Sequence, residues 1–531
     1  MLLPFGCVWL ACGASDGVRP TTEPGVVPGA NADSATPDAG SADTGARPES
    51  GPGDDVKRTK LREDDWQFRS RLVGITTGAV PHVIYTREED YYFGADDGKA
   101  RYLEAVPITG GAPIRLAAYH PYRIEVSGGA VAWYDGTNYD NVANAIHLWT
   151  EQSGTKTVYT HTRPGLFAAT EDGSRVAFST NATLATSDIA VTTSAAPSAA
   201  NPALTAANAV ANRAVCEPHI AFAGATLVAG YCTLLPAVAD DPNTTQRPKL
   251  VTVSEAGATV VRIDNALLTD AFQTRWYADS GGTKLFVLGP KPDVRGRVIV
   301  TSGPGTTTAD VDPNVAGVDV AKDGSAVVYV SNGALKRATF AADPVVTTIV
   351  PTGVLTLLAM TADSKHALFS TAEGPIQRSD LNTVDVTANV PAPVALVATA
   401  TVKSVGFNGA GTHVLYLDEP FTDENGITLW KLKSKSVGGG PEKVLDAVAF
   451  AAYAAPVGNG VLSVSYRTPA SEDCGDTTLR QADSVAGGAP RSAATILTCS
   501  DDSVPLGYWS GSSFAYHEQK SAPGLYAITL P

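Results

Sequence analysis

Carboxylates gather in short runs at several points of this chain. Glu88, Glu89 and Asp90 precede Tyr91-Tyr92-Phe93, and Asp135 and Asp140 bracket Gly136-Thr137-Asn138-Tyr139. Asp418 and Glu419 are followed by Asp423 and Glu424, while Glu472 and Asp473 precede Cys474. Oxygen-rich sets like these suit Ca²⁺, or a basic or sugar-bearing partner. None has the spacing of an EF-hand loop, so no cofactor is expected, with Ca²⁺ kept as the alternative ligand. The bland reading is that they are solvated loops of an acidic protein, whose formal net charge is −15.

Other chemistry finds little support. The eight histidines are scattered, and His517-Glu518 is followed by Gln519, Lys520 and Ser521, which fails the His-Glu-x-x-His zinc pattern. His366 and His413 share one position at the start of a short apolar strand, as locally bonded strand ends would. No Gly-x-Ser-x-Gly elbow occurs within residues 58–531, which argues against a serine hydrolase, and there is no phosphate-binding Gly-rich loop. The basic run Lys57-Arg58-Thr59-Lys60-Leu61-Arg62 reads as a solvated domain edge. Nucleic acid, which needs clustered cations to release its counterions, is therefore not expected as a partner.

Cys216, Cys232, Cys474 and Cys499 fall into two local pairs, none in a C-x-x-C arrangement. That favours disulfides over zinc or redox chemistry. A hairpin turn centred on Gly224 would set Cys216 and Cys232 across an antiparallel pair, and Cys474 with Cys499 is the second expected bridge.

The elements that must position these residues repeat. A turn of Asp, Gly and Ser leads into a compact apolar strand with an aromatic near its end. Examples are Asp172-Gly173-Ser174-Arg175-Val176-Ala177-Phe178, Asp323-Gly324-Ser325-Ala326-Val327-Val328-Tyr329 and Asp363-Ser364-Lys365-His366-Ala367-Leu368-Phe369. An alternating strand and a Gly-Gly turn follow, as in Leu429-Trp430-Lys431-Leu432 leading to Gly439-Gly440. Gly supplies positive φ in such turns, while Asp and Ser bond back to the local backbone. The unit recurs every 40–57 residues or so, the spacing of a four-stranded antiparallel blade.

These residues resemble the TolB-like, WD40-like propeller repeats over most of residues 74–531. The resemblance implies an all-β fold, a β-propeller of four-stranded antiparallel blades. It carries no activity, because propellers host many. There are about ten candidate hairpins, near residues 84, 133, 177, 228, 286, 328, 368, 415, 463 and 515, where rings usually have four to eight blades. A single large ring is favoured over two tandem propellers. Trp66–Val73 is expected to pair beside Leu525–Leu530 and close it.

Ahead of the repeats, Met1–Gly13 resembles the tail of a lipoprotein signal segment, with small Ala11 and Gly13 flanking Cys12 as the lipidated residue. Residues 13–57 are rich in Pro, Gly, Ala and Asp, a composition that cannot offset chain entropy and reads as a disordered tether. The expected organisation is thus 1–12 signal, 13–57 tether and 58–531 propeller. The expected location is the cell envelope, periplasmic or outer surface, with membrane contact only through the anchor. Loops joining second and third strands leave one face of a propeller, so the acidic runs should share a face. The favoured function is a non-enzymatic binding scaffold for a protein, peptide or glycan. The alternative is a Ca²⁺-assisted envelope hydrolase or lyase with carboxylates near the central channel.

Overall fold

The computed structural model describes residues 58–531 except 65–67, 90–101, 118–120, 136–143, 162–166, 181–187, 194–195, 205–218, 235–245, 254–258, 265–275, 280–282, 289–294, 301–306, 322, 374–377, 424–427, 467–473, 489, 500–506, 519–522 and 531. Every regular element among them is a strand, and every strand pair is antiparallel. They form eight four-stranded sheets and one seven-stranded sheet, each built from strands consecutive in the chain apart from the sheet that joins the two ends. The protein is a β-propeller.

The second strand of each unit is the apolar run expected from sequence. His82–Glu89, Ala130–Asp135, Arg175–Thr180, Ala326–Ser331 and His366–Ser370 occupy that place. Residues on both faces of such a strand are buried: Ala326–Ser331 is buried throughout. That follows from a sheet packed on both sides, and each large apolar side chain so removed from water contributes roughly 1.5–3 kcal/mol. Each sheet packs on the next in chain order. Ile84 and Leu103 meet Trp133 and Trp149, Phe286 meets Tyr329, and Leu415 and Leu417 meet Val461. The last sheet returns to the first, where Leu525 and Ala527 pack on Val83 and Tyr85.

The seven-stranded sheet is explained by one long strand. Val394–Phe407 pairs with Arg378–Asp385 through its first half and with His413–Thr422 through its second. It is thus the outermost strand of one unit and the innermost of the next.

Closure differs from the sequence expectation. Arg58–Glu63, not Trp66–Val73, pairs with Gly524–Thr529 and completes the last sheet. Phe68–Ile75 is instead the innermost strand of the following sheet. The outermost strand of a blade has an exposed edge and needs little apolar surface, so the basic run serves there, with Leu61 alone buried into the core. The alternating Phe68–Ile75 segment has the apolar residues an inner strand requires.

Candidate functional site: the long-loop face

Antiparallel strand order fixes two faces. Connections from first to second and third to fourth strands leave one end of each sheet. Connections from second to third strands, and from each sheet to the next, leave the other. The first face is a belt of short turns bonded to one another. Thr77 N donates to Gly128 O at 2.8 Å, Gly129 N to Glu171 O at 2.7 Å, and Ala410 N to Gly458 O at 2.9 Å, each between neighbouring sheets. Gly128 shows the crowding: φ is +53°, and a Cβ there would lie 2.4 Å from Glu171 Cβ.

Within these turns a residue missed by sequence reading recurs. The side-chain oxygens of Thr170, Asp279, Thr361 and Asn408 accept the backbone N–H five residues on, at 3.0, 2.9, 2.9 and 3.0 Å. The signal was available as a Thr, Asp or Asn three residues before the Gly or Ser of each turn.

The opposite face takes the longest connections, among them 90–101 and 235–245, although Asn332-Gly333 joins two strands there by itself. Glu88 and Glu89 end the strand His82–Glu89, opposite Arg69 and Phe68. Asp135 ends Ala130–Asp135, opposite Pro121 and Ala145. Asp90, Asp140, Glu424, Glu472 and Asp473 lie outside the described residues, as do Cys12 and Cys216. Cys232 sits opposite Pro248. Cys474 and Cys499 are directly opposite each other in adjacent strands of one sheet.

Asp418 and Glu419 are arranged differently from free loop acids. Asp418 is buried, and Lys433 Nζ lies 3.1 Å from its Oδ2, 2.6 Å from Glu419 Oε1 and 3.0 Å from Glu442 Oε1. Lys431 also pairs with Glu419, whose backbone has φ +51°. Hydrogen bonds from Lys431 and Lys433 hold the Glu419 carboxyl down at about 2. Burial opposes the charge on Lys433, but its three carboxylate partners outweigh it and hold the ammonium above its usual range. Asp418 and Lys433 are thus buried together while Glu419, Glu442 and Lys431 are partly exposed around them, and the two cations offset part of the negative charge read from this run.

Tyrosines on second strands follow a related scheme. Tyr85 donates to Glu104 at 2.8 Å, Tyr329 to Asp312 at 2.6 Å and Tyr416 to Glu442 at 2.7 Å. Each carboxylate also meets a cation: Arg115, Lys336 and Lys433 respectively. Burial, then the carboxylate partner, pushes these phenols well above their ordinary value, so they remain protonated donors. Their arrangement is structural: it lets a polar aromatic be buried with its hydroxyl satisfied.

Two further networks resemble catalytic sets but are wired otherwise. Ser70 Oγ donates to Asp64 Oδ1 at 2.6 Å, and His517 Nε2 lies 2.7 Å from Asp64 Oδ2. A nucleophilic triad needs the histidine between serine and acid; here the acid is in the middle, so the imidazole cannot take the serine proton. Asp380 accepts from Ser370 Oγ (2.7 Å), Thr371 N (3.0 Å) and Ala372 N (2.7 Å), with Thr371 Oγ1 and Asn382 Nδ2 added. It pins the start of a second-to-third connection. On the innermost strands, Glu125 accepts Ala169 N at 3.3 Å and Asp319 accepts Met360 N at 3.0 Å. These acids join neighbouring sheets rather than converge on one point.

No family model matches the chain, and no curated protein matches it. Among solved structures it is similar to TolB from Acinetobacter baumannii, at 11% identity and a TM-score of 0.24 over 53% of this chain and 80% of that one. It is similar to the WD40 domain of SCAP from fission yeast, at 9% identity and 0.36 over 77% and 95%. It is also similar to Porphyromonas gingivalis dipeptidyl peptidase 4, at 13% identity and 0.41 over 80% and 67%. These are likenesses of fold, and none carries a ligand or an activity over to this chain.

Proposed function

We propose that this propeller is a non-enzymatic binding scaffold of the cell envelope, which presents its long-loop face to a protein, peptide or glycan. The observation that carries the reading is the inequality of the two faces. Turns on one face are locked to each other by backbone hydrogen bonds, as Gly128, Glu171 and Gly458 illustrate. The other face takes the connections whose length can vary without disturbing a blade. The polar networks described above serve packing and strand joining, which suits a rigid scaffold.

In this reading the seven-stranded sheet is two blades sharing Val394–Phe407, which gives ten blades in one ring closed by Arg58–Glu63. Residues 1–12 are a signal segment lipidated at Cys12, and 13–57 a tether. The facing positions of Cys474 and Cys499 support a bridge that would staple two outer strands in an oxidising compartment. Non-reducing peptide mapping that found free thiols there would remove that part.

The functional test is capture from an envelope extract by immobilised protein. Neutralising Glu88, Glu89 and Asp90 together, as Gln, Gln and Asn, should lower capture several-fold, with the parent's capture weakening as salt rises. Melting should stay within a degree or two, since Glu88 and Glu89 end their strand. Undiminished capture would reject this loop as part of the binding face.

A further inference from the structure

The outermost strand of the closing sheet has a direction with a consequence for the anchored molecule. Arg58 lies opposite Ile528, and Glu63 opposite Gly524. The Ile528 end is beside the tight-turn face, because Leu530 N donates to Ser512 O at 2.8 Å within the Ser510–Ser513 turn. The Glu63 end is beside the other face, where Asp64 N donates to Pro523 O at 3.0 Å in a second-to-third connection. Whatever precedes Arg58 therefore leaves the domain at the tight-turn face.

We propose that the anchored protein carries its tight-turn face toward the lipid bilayer and its long-loop face away from it. The inference rests on the lipid-anchor reading above. The path from the anchor then meets the domain at the tight-turn face, so that face is the one whose approach to the bilayer stretches the tether least. Exposed apolar side chains also stand on the near face, as Leu355, Phe421 and Phe450 do on the other. Val80, Ile114, Val345, Val390, Val444 and Val457 stand exposed at or beside its turns, Val390 at 84% and Val345 at 65%. Single aliphatic side chains at the tips of several sheets add apolar contact at a headgroup boundary without forming a groove for another chain. The long-loop face is then left to partners arriving from the aqueous side.

The test compares two labels in one blade. Asp343→Cys lies in a third-to-fourth turn on the tight-turn face, and Leu355→Cys in an inter-sheet connection on the long-loop face; both native side chains are exposed. Each variant is expressed at full length with a complete export signal, labelled under non-reducing conditions and reconstituted on vesicles of phosphatidylethanolamine and phosphatidylglycerol with a headgroup-linked acceptor. The unsubstituted chain gives the labelling blank. Energy transfer from position 343 should exceed that from position 355. Equal transfer, stronger transfer from 355, or no transfer from either while the protein floats with the vesicles would overturn the orientation. Failure to float, shared with Cys12→Ala, would instead overturn the anchor and the orientation with it.

Discussion

His517 Nε2 lies 2.7 Å from Asp64 Oδ2, a contact between residues 453 positions apart in sequence. Asp64 follows the closing strand, and His517 lies in Ser513–Glu518, the second strand of the last sheet. Ser70 adds its backbone N–H and hydroxyl to the same carboxylate, which fixes the start of the next sheet. One buried acid thus clasps both sides of the closure. Truncating a buried, paired charge strands its partners, so Asp64→Ala should cost about 3 kcal/mol in urea unfolding. Asp64→Asn should cost less. Equal stability of Asp64→Ala and the parent would show that the clasp contributes nothing.

Closure itself can be cut at a chosen residue. A chain beginning at residue 57 keeps Arg58–Glu63 and should melt like the full protein. A chain beginning at residue 64 loses that strand, leaves Gly524–Thr529 as an open edge and exposes Leu525 and Ala527. It should melt at least several degrees lower and aggregate more readily on heating. Coincident melting of the two chains would place the closure elsewhere.

Acid should destabilise the protein in a defined window. Hydrogen bonds from Lys431 and Lys433 hold Glu419 at about 2, down from an ordinary 4.5. Asp64, Asp380 and Glu442 are also lowered: burial opposes ionisation in each, and hydrogen bonds outweigh it. A carboxyl depressed in the folded state adds stability that is fully present above its unfolded value and is lost as pH falls through the folded one. Melting temperature should be flat down to about pH 5 and then drop between about 4.5 and about 2. Asp380→Asn should flatten part of that drop while lowering the plateau. A melting curve insensitive to pH across this window would contradict these assignments.

Much of the fold was legible because a blade is a local object. The Asp-Gly-Ser turn before Ala326–Ser331 and the Gly439-Gly440 turn after Thr428–Ser436 announce hairpins from neighbouring residues alone. The closing strand was not legible: Arg58–Glu63 pairs with a segment more than 460 residues away, and an outer strand leaves little apolar pattern. The acidic runs were legible as residues but not as chemistry. Asp418 read as a loop acid because Lys433, which also pairs with Glu442, reaches it only across the strands of a folded sheet.

That network changes what a charge substitution at Asp418 measures. Asp418 and Lys433 are each about 4% exposed in their side chains, so neither is a surface charge. Lys433→Met should remove the buried cation that faces Asp418 and cost about 3 kcal/mol. Lys433→Met with Asp418→Leu, which removes both charges, should recover much of the loss. Chemical denaturation of the two variants checks this. A double variant no more stable than the single would show that Glu419 and Glu442, not Asp418, set the cost.

The most direct measurement of the binding face is site-specific photo-crosslinking in envelope extract. A photoreactive side chain at Leu355 stands on the long-loop face, as does the strand end at Glu88; one at Asp343, or at Asp172 in a tight turn, stands opposite. Adducts of the same mass should form from Leu355 or Glu88 and be absent from Asp343 and Asp172. Adducts confined to Asp343 and Asp172, or equal from both faces, would contradict the long-loop face as the place where the partner binds.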